Sequence, residues 1–102
     1  MTYGFVRDVP APIEFYDALH AEIARRDDGG GYGLLVHIGR ATREGFQVIE
    51  VWESKEHRDR FDAEVMRPAL AALSAGGPSA PVPPTEEFEP RGLILPGAHI
   101  AV

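Results

Sequence analysis

Two ionisable residues stand where a polar side chain is costly. His37 interrupts the apolar run Gly33-Leu34-Leu35-Val36-His37-Ile38-Gly39, and Glu50 lies between Ile49 and Val51 in the run from Gly45 to Trp52. A polar group in such a run must find a partner or line a cavity. The two runs are joined by a short polar connection, Ala41-Thr42-Arg43-Glu44-Gly45, as in an antiparallel hairpin. A connection of two or four residues puts His37 on the sheet face of Val48, Glu50 and Trp52; three residues put it with Ile49 and Val51. In the first register His37 and Glu50 form a base and its orienting carboxylate beside an indole wall. The competing reading is structural: a histidine hydrogen-bonded in the core or at an interface, and a glutamate ion-paired with Arg7 or Arg40. Trp52 itself serves either as that wall or as core packing.

Tyr16 and His20 are one helical turn apart and flank an apolar stripe. They border either a cleft between helix and sheet or the rim of a buried face. His57 falls in the first turn of a second helix, where a capping or solvated role is the default. No histidine pair has metal-ligand spacing, so no metal is expected. The chain has no cysteine, which excludes disulfides, thiolate nucleophiles and iron–sulfur clusters. Gly29-Gly30-Gly31-Tyr32-Gly33 follows a helix and precedes a strand. That order is the reverse of a phosphate-binding loop, so the glycines stop a helix and connect it onward.

The elements that must hold these residues are legible in order. Thr2–Arg7 alternates as a first strand, and Pro12 suits the first position of the helix that follows. From Ile13 to Arg26 the residues Phe15, Ala18, Leu19 and Ile23 recur at helical spacing, and Arg25 and Arg26 favour its C-terminal end. After the hairpin, Ser54 is a helix cap, with His57, Phe61 and Val65 at four-residue spacing behind it. Pro68 is expected to kink or break that helix near Met66 and Arg67. Residues 75 to 84 are rich in glycine and proline and read as a linker. Residues 87 to 95 read as a final strand, which Pro90 confines to an edge or a bulge. Strand, helix, strand, strand, helix, strand is the ferredoxin-like βαββαβ order, an α+β fold with a four-stranded antiparallel sheet in the spatial order 4-1-3-2. Residues 1–95 form one domain on this reading. Residues 96–102 form a tail that is mobile or lies across a partner.

The strands Leu34–Ile38 and Phe46–Trp52 are apolar on both faces, yet one chain supplies helices for only one face. A homodimer is the expected solution. Sixteen acidic against ten basic residues give a net charge of −6, which opposes nucleic acid and anionic membrane as partners. With no basic, apolar leader and no apolar stretch long enough to span a bilayer, the expected location is the cytoplasm.

The strand Phe46–Trp52 running into Trp52-Glu53-Ser54-Lys55-Glu56-His57, with Phe61 beyond it, resembles the antibiotic-biosynthesis-monooxygenase-like branch of the dimeric α/β-barrel superfamily. The matching order of elements extends the likeness from about Tyr3 to about Leu95. The resemblance implies a dimeric barrel and, first among several chemistries, cofactor-independent oxygenation of a phenol or quinol. It also departs from the family pattern. The positions nine and ten residues after the tryptophan, where haem-degrading relatives carry a histidine, are Phe61 and Asp62, and the chain has no asparagine. Haem chemistry is not expected, nor is any other cofactor. The expected substrate is a small hydrophobic aromatic molecule in a pocket lined by Phe5, Tyr16, His20, Leu35, Val48 and Trp52, with His37 and Glu50 catalytic. An isomerase or cyclase using the same pocket, and a non-catalytic dimeric binding or structural domain, are the alternatives, because a shared fold does not carry a shared reaction.

Overall fold

A computed structural model describes residues 2–26, 32–74, 83–98 and 100–101. Its elements are β1 (Tyr3–Val9), α1 (Ile13–Arg26), β2 (Leu34–Ala41) and β3 (Phe46–Trp52). Next come α2 (Lys55–Phe61), a π-helical turn over Asp62–Met66 and α3 (Arg67–Leu73), followed by β4 (Thr85–Phe88), β5 (Ile94–Leu95) and β6 (Ile100–Ala101). Strands β1 to β4 form one antiparallel sheet in the order β2-β3-β1-β4, which is the ferredoxin-like order. None of the described helices is long and apolar enough to cross a membrane.

The β2–β3 hairpin pairs Ala41 with Phe46 and His37 with Glu50, so four residues make the connection. Thr42 N–H closes that loop on the Gly45 carbonyl at 2.9 Å. Alternation then aligns His37, Glu50 and Trp52 on one face, together with Tyr3, Phe5 and Arg7 from β1. The helices cover this face: Phe61 packs at a tilt against Trp52 with ring centroids 5.3 Å apart, and Tyr16 packs edge-on against Phe46 at 5.5 Å. Tyr3, Phe5 and Trp52 are its buried centre, with Leu34, Val48 and Phe61 around them.

The second helical run is not ended by Pro68. Arg67 N–H bonds the Asp62 carbonyl, a five-residue step, and the run then resumes as α3 with Pro68 in its first turn. Pro68 has no N–H to donate, and the α-helical bonding pattern gives way immediately before it. The wider π turn absorbs the misfit that a proline in one continuous α-helix would create. Ser54 caps α2 as expected, accepting from His57 N–H at 3.2 Å.

The last strand of the sheet lies earlier than the sequence indicates. It covers Thr85–Phe88 and stops before Pro90; Ile94–Leu95 instead pairs with Ile100–Ala101 in a separate small hairpin. Pro90 therefore ends the edge strand rather than sitting within it, consistent with its lack of a donor. Tyr3 ties β4 to the sheet by donating its hydroxyl to Glu87 at 2.6 Å, and burial together with that bond pushes its pKa up to about 12.

The opposite sheet face carries Val6, Val36, Ile38, Ile49 and Val51, and no described helix packs on it. Ile38 is 47% exposed there.

Candidate functional site

The site is a continuous chain of hydrogen bonds running from α1 into the core. Glu50 and His37 are opposite each other on β3 and β2, and the His37 Nδ1 to Glu50 Oε2 distance is 2.6 Å. A carboxylate can only accept, so His37 donates from Nδ1, and in the neutral imidazole its Nε2 is an acceptor. The Tyr16 hydroxyl, on α1, donates to that Nε2 at 2.7 Å. The other carboxylate oxygen, Oε1, accepts from Trp52 Nε1–H at 2.9 Å. Both oxygens of the buried Glu50 are thereby bonded, which offsets the cost of placing a charge under the helices.

Helix α1 positions the outer end. Tyr16 and His20 are four residues apart and share a side of the helix. Both stack on His37, with centroids 5.9 Å away in each case, and they stack on each other at 5.7 Å. Burial, followed by the Glu50 and Asp17 charges, raises the Tyr16 pKa above its ordinary value, so its hydroxyl stays protonated beside the imidazole. His37 is 26% exposed, so the imidazole is reachable from the surface through this aromatic stack.

Gly39 lets Tyr16 in. It lies two residues along β2 from His37, and a methyl group there would collide with the end of the Tyr16 ring. Gly39→Ala is expected to displace Tyr16, break its bond to His37 and cost about 1–3 kcal/mol of stability. Thermal unfolding and the Tyr16 hydroxyl proton resonance check this; an unchanged resonance would contradict it.

The residues expected around a pocket divide into two groups. Tyr16, His20, His37 and Glu50 come together as described. Phe5, Val48 and Trp52 are packed into the core, and Trp52 is 0% exposed, so it acts on Glu50 and on packing rather than as an open wall. Leu35 does not join them. A β-bulge between Leu34 and Val36 leaves it without a partner in the ladder, and Leu34, opposite Trp52, takes the inward place. The bulge follows Gly33, whose φ of 91° marks an irregular entry to the strand. Neither Arg7 nor Arg40 pairs with Glu50: Arg40 bonds Gln47 instead, at 2.8 Å. His57 bonds Ser54 Oγ at 2.6 Å through Nδ1 and belongs to the α2 cap.

Two surface grooves, of about 380 and 630 Å³, lie at the ends of the sheet. The first runs between Pro10–Ile13 and the hairpin loop, the second between Tyr3, Ser54 and Glu87, and neither is lined by His37. Among the described residues no cluster has the makings of a metal site.

No protein-family model and no curated protein sequence matches the chain. Among solved structures it is similar to SnoaB, a cofactor-independent oxygenase from Streptomyces nogalater, with 23% sequence identity and a TM-score of 0.50, over 93% of this chain and 94% of that one. At this identity the likeness establishes the fold: a ferredoxin-like α+β sheet with its helices on one face.

Proposed function

We propose that this protein is a small enzyme of specialised metabolism that oxygenates a hydrophobic phenol or quinol without a cofactor. The observation that carries the reading is the Tyr16–His37–Glu50–Trp52 chain. It is an imidazole held in one tautomer by a buried carboxylate, with its other nitrogen bonded to the Tyr16 hydroxyl. The fold shared with SnoaB, itself a cofactor-independent oxygenase, supports it.

The substrate hydroxyl donates to Tyr16 as Tyr16 donates to His37, and the proton moves inward along both bonds. Tyr16 gives and receives a proton together and so never bears the charge that its raised pKa disfavours. Glu50 stabilises the imidazolium, and Trp52 holds Glu50. The substrate anion passes one electron to O₂, and the resulting radical and superoxide combine at a ring carbon. The imidazolium returns its proton through Tyr16 to the peroxide so formed, and the hydroperoxide, at a carbon that also bears a hydrogen, loses water to leave a carbonyl. One oxygen atom enters the product, the other leaves as water, and the substrate supplies the electrons. Oxygen uptake with a panel of hydroquinones tests the reading. Uptake of one O₂ per turnover supports it, and silence across the panel contradicts it.

The chain acts as a homodimer on this reading, its second copy covering the apolar face of Val6, Val36, Ile38 and Ile49. Light scattering is expected to give the mass of two chains, and Ile38→Lys that of one, since a lysine ammonium there would be buried unpaired. A wild-type mass of one chain would contradict the pairing.

One observation favours a second reading, a non-catalytic domain. Every polar atom of His37 and Glu50 already has a partner within the chain, and the two grooves lie elsewhere. The bond chain would then serve to fasten α1, which has no fully buried residue, to the sheet. Silence in the oxygen assay is its expected result.

A further inference from the structure

Beside the bond chain, on the same helix-covered face, two arginines share one aromatic ring. The Arg7 guanidinium lies 5.4 Å from the Phe5 ring centroid and that of Arg58, from α2, 5.0 Å from it. Phe5 is opposite Glu50 in the β1–β3 ladder, and Arg7 is the next residue along β1 on that face. Neither cation is neutralised well. Arg7 has no ion pair among the described residues, and its Nε is buried without a hydrogen-bond partner. Arg58, 19% exposed, reaches only the neighbouring Asp59, at 3.5 Å. Asp62, the acid best placed to help, is bonded to Arg67 at 2.9 Å.

Two guanidinium groups withdrawn from water against one ring repel each other, and a buried donor without an acceptor is costly. Both costs are visible in Arg7, whose pKa is lowered by burial first and by the Arg58 charge second, and the Asp62 and Glu50 charges offset this only in part. An anion placed between the two would relieve both costs. The planar donor array of arginine fits a carboxylate best, because two parallel N–H groups meet its two oxygens. His37 is on the same face of the sheet, two strands from β1, with Tyr16 and His20 stacked on it from α1.

We propose that Arg7 and Arg58 form a carboxylate-binding site over Phe5, so that the molecule processed at His37 is an aromatic acid held by its carboxylate. This rests on the oxygenase reading for its use, though not for its test. The site fixes which end of the molecule lies under the helices, while the hydroxyl-bearing ring extends toward Tyr16. It selects acids over neutral analogues of the same shape.

Calorimetric titration of the full chain with naphthoate and with naphthylmethanol tests the site without oxygen or turnover. Naphthoate is expected to bind at least about tenfold more tightly, the difference a charge-assisted pair of bonds makes. Arg58→Met and Arg7→Met are each expected to weaken naphthoate about tenfold and leave the alcohol unchanged. Arg60→Met, exposed on the same helix, is expected to change neither. Equal affinity for acid and alcohol, no binding of either, or full affinity in Arg58→Met would overturn the site. Arg7→Met is read only if its circular dichroism matches the parent; the wild-type comparison and Arg58→Met decide without it. A wild type that prefers the acid yet consumes no oxygen with any hydroquinone would keep the site and remove the oxygenase.

Discussion

Replacing His37 with glutamine is expected to lower oxygen uptake on the best hydroquinone by about 10²–10⁴-fold, the range that a positioned proton acceptor contributes. Glutamine preserves much of the bonding. Its amide N–H₂ can donate to Glu50 and its carbonyl can accept from Tyr16, so the helix stays fastened and the core stays filled. What it lacks is basicity. His37→Ala removes the same base but also leaves Glu50 Oε2 and the Tyr16 hydroxyl unpaired, at an added cost of about 1–3 kcal/mol for each buried group. Comparing the two variants therefore separates loss of the proton acceptor from loss of structure. Glutamine at wild-type rate would show that the imidazole is a tie between helix and sheet and nothing more.

The second large effect falls on stability. Trp52 is fully buried, packs against Phe61 and donates to Glu50. Trp52→Ala removes a large aromatic side chain from a core that can collapse only partly, which costs about 3–5 kcal/mol. It also frees Glu50 Oε1 of its donor, adding about 1–3 kcal/mol. A chain of this size has a total stability of about 5–15 kcal/mol, so the variant is expected to be largely unfolded at the low end of that range. At the high end its melting temperature is expected to fall by roughly 15–30 °C. Trp52→Phe keeps most of the packing and loses only the N–H, so about 1–3 kcal/mol is expected from it. Thermal and denaturant unfolding of both variants check the order. A Trp52→Phe as damaging as Trp52→Ala would mean that the bond to Glu50, rather than the packing, dominates.

The two effects are linked through Glu50. Its carboxylate faces the His37 imidazole on one side and the core's largest ring on the other, so the residue that orients His37 is also the one the core must satisfy. This explains why a charge is tolerated between Ile49 and Val51.

The strand and helix pattern was legible because each element carries its own period and its own cap: Ser54 before α2, Pro12 at α1, alternation in β1 and β3. The pairing of His37 with Glu50 was legible as one of two registers, since only the length of the hairpin connection separates them. Its outer partner was not. Tyr16 is 21 residues from His37 in the chain, and the two meet only because α1 docks across β2 at Gly39. No local pattern encodes where a helix sits on a sheet. Leu35 was misplaced for a related reason. Strict alternation puts it beside His37, and one extra residue at the bulge hands the inward position to Leu34. Pro68 shows how a local rule is bypassed. The proline does forbid a continuous α-helix, but the run answers with a π turn placed before it rather than by ending. The arginine pair over Phe5 left no trace in spacing, because Arg7 and Arg58 come from different elements and neither belongs to a motif.

The claim on which the rest depends is that Glu50 fixes the tautomer of the neutral His37 imidazole, with the proton on Nδ1 and Nε2 able to accept one. Long-range ¹⁵N–¹H correlation spectra of the His37 ring, recorded at mildly alkaline pH, test it directly. The expected spectrum shows the proton on Nδ1 and a bare, hydrogen-bond-accepting Nε2, and Glu50→Gln is expected to release that preference. A His37 protonated at Nε2 in the wild type, or a tautomer unmoved by Glu50→Gln, would contradict it.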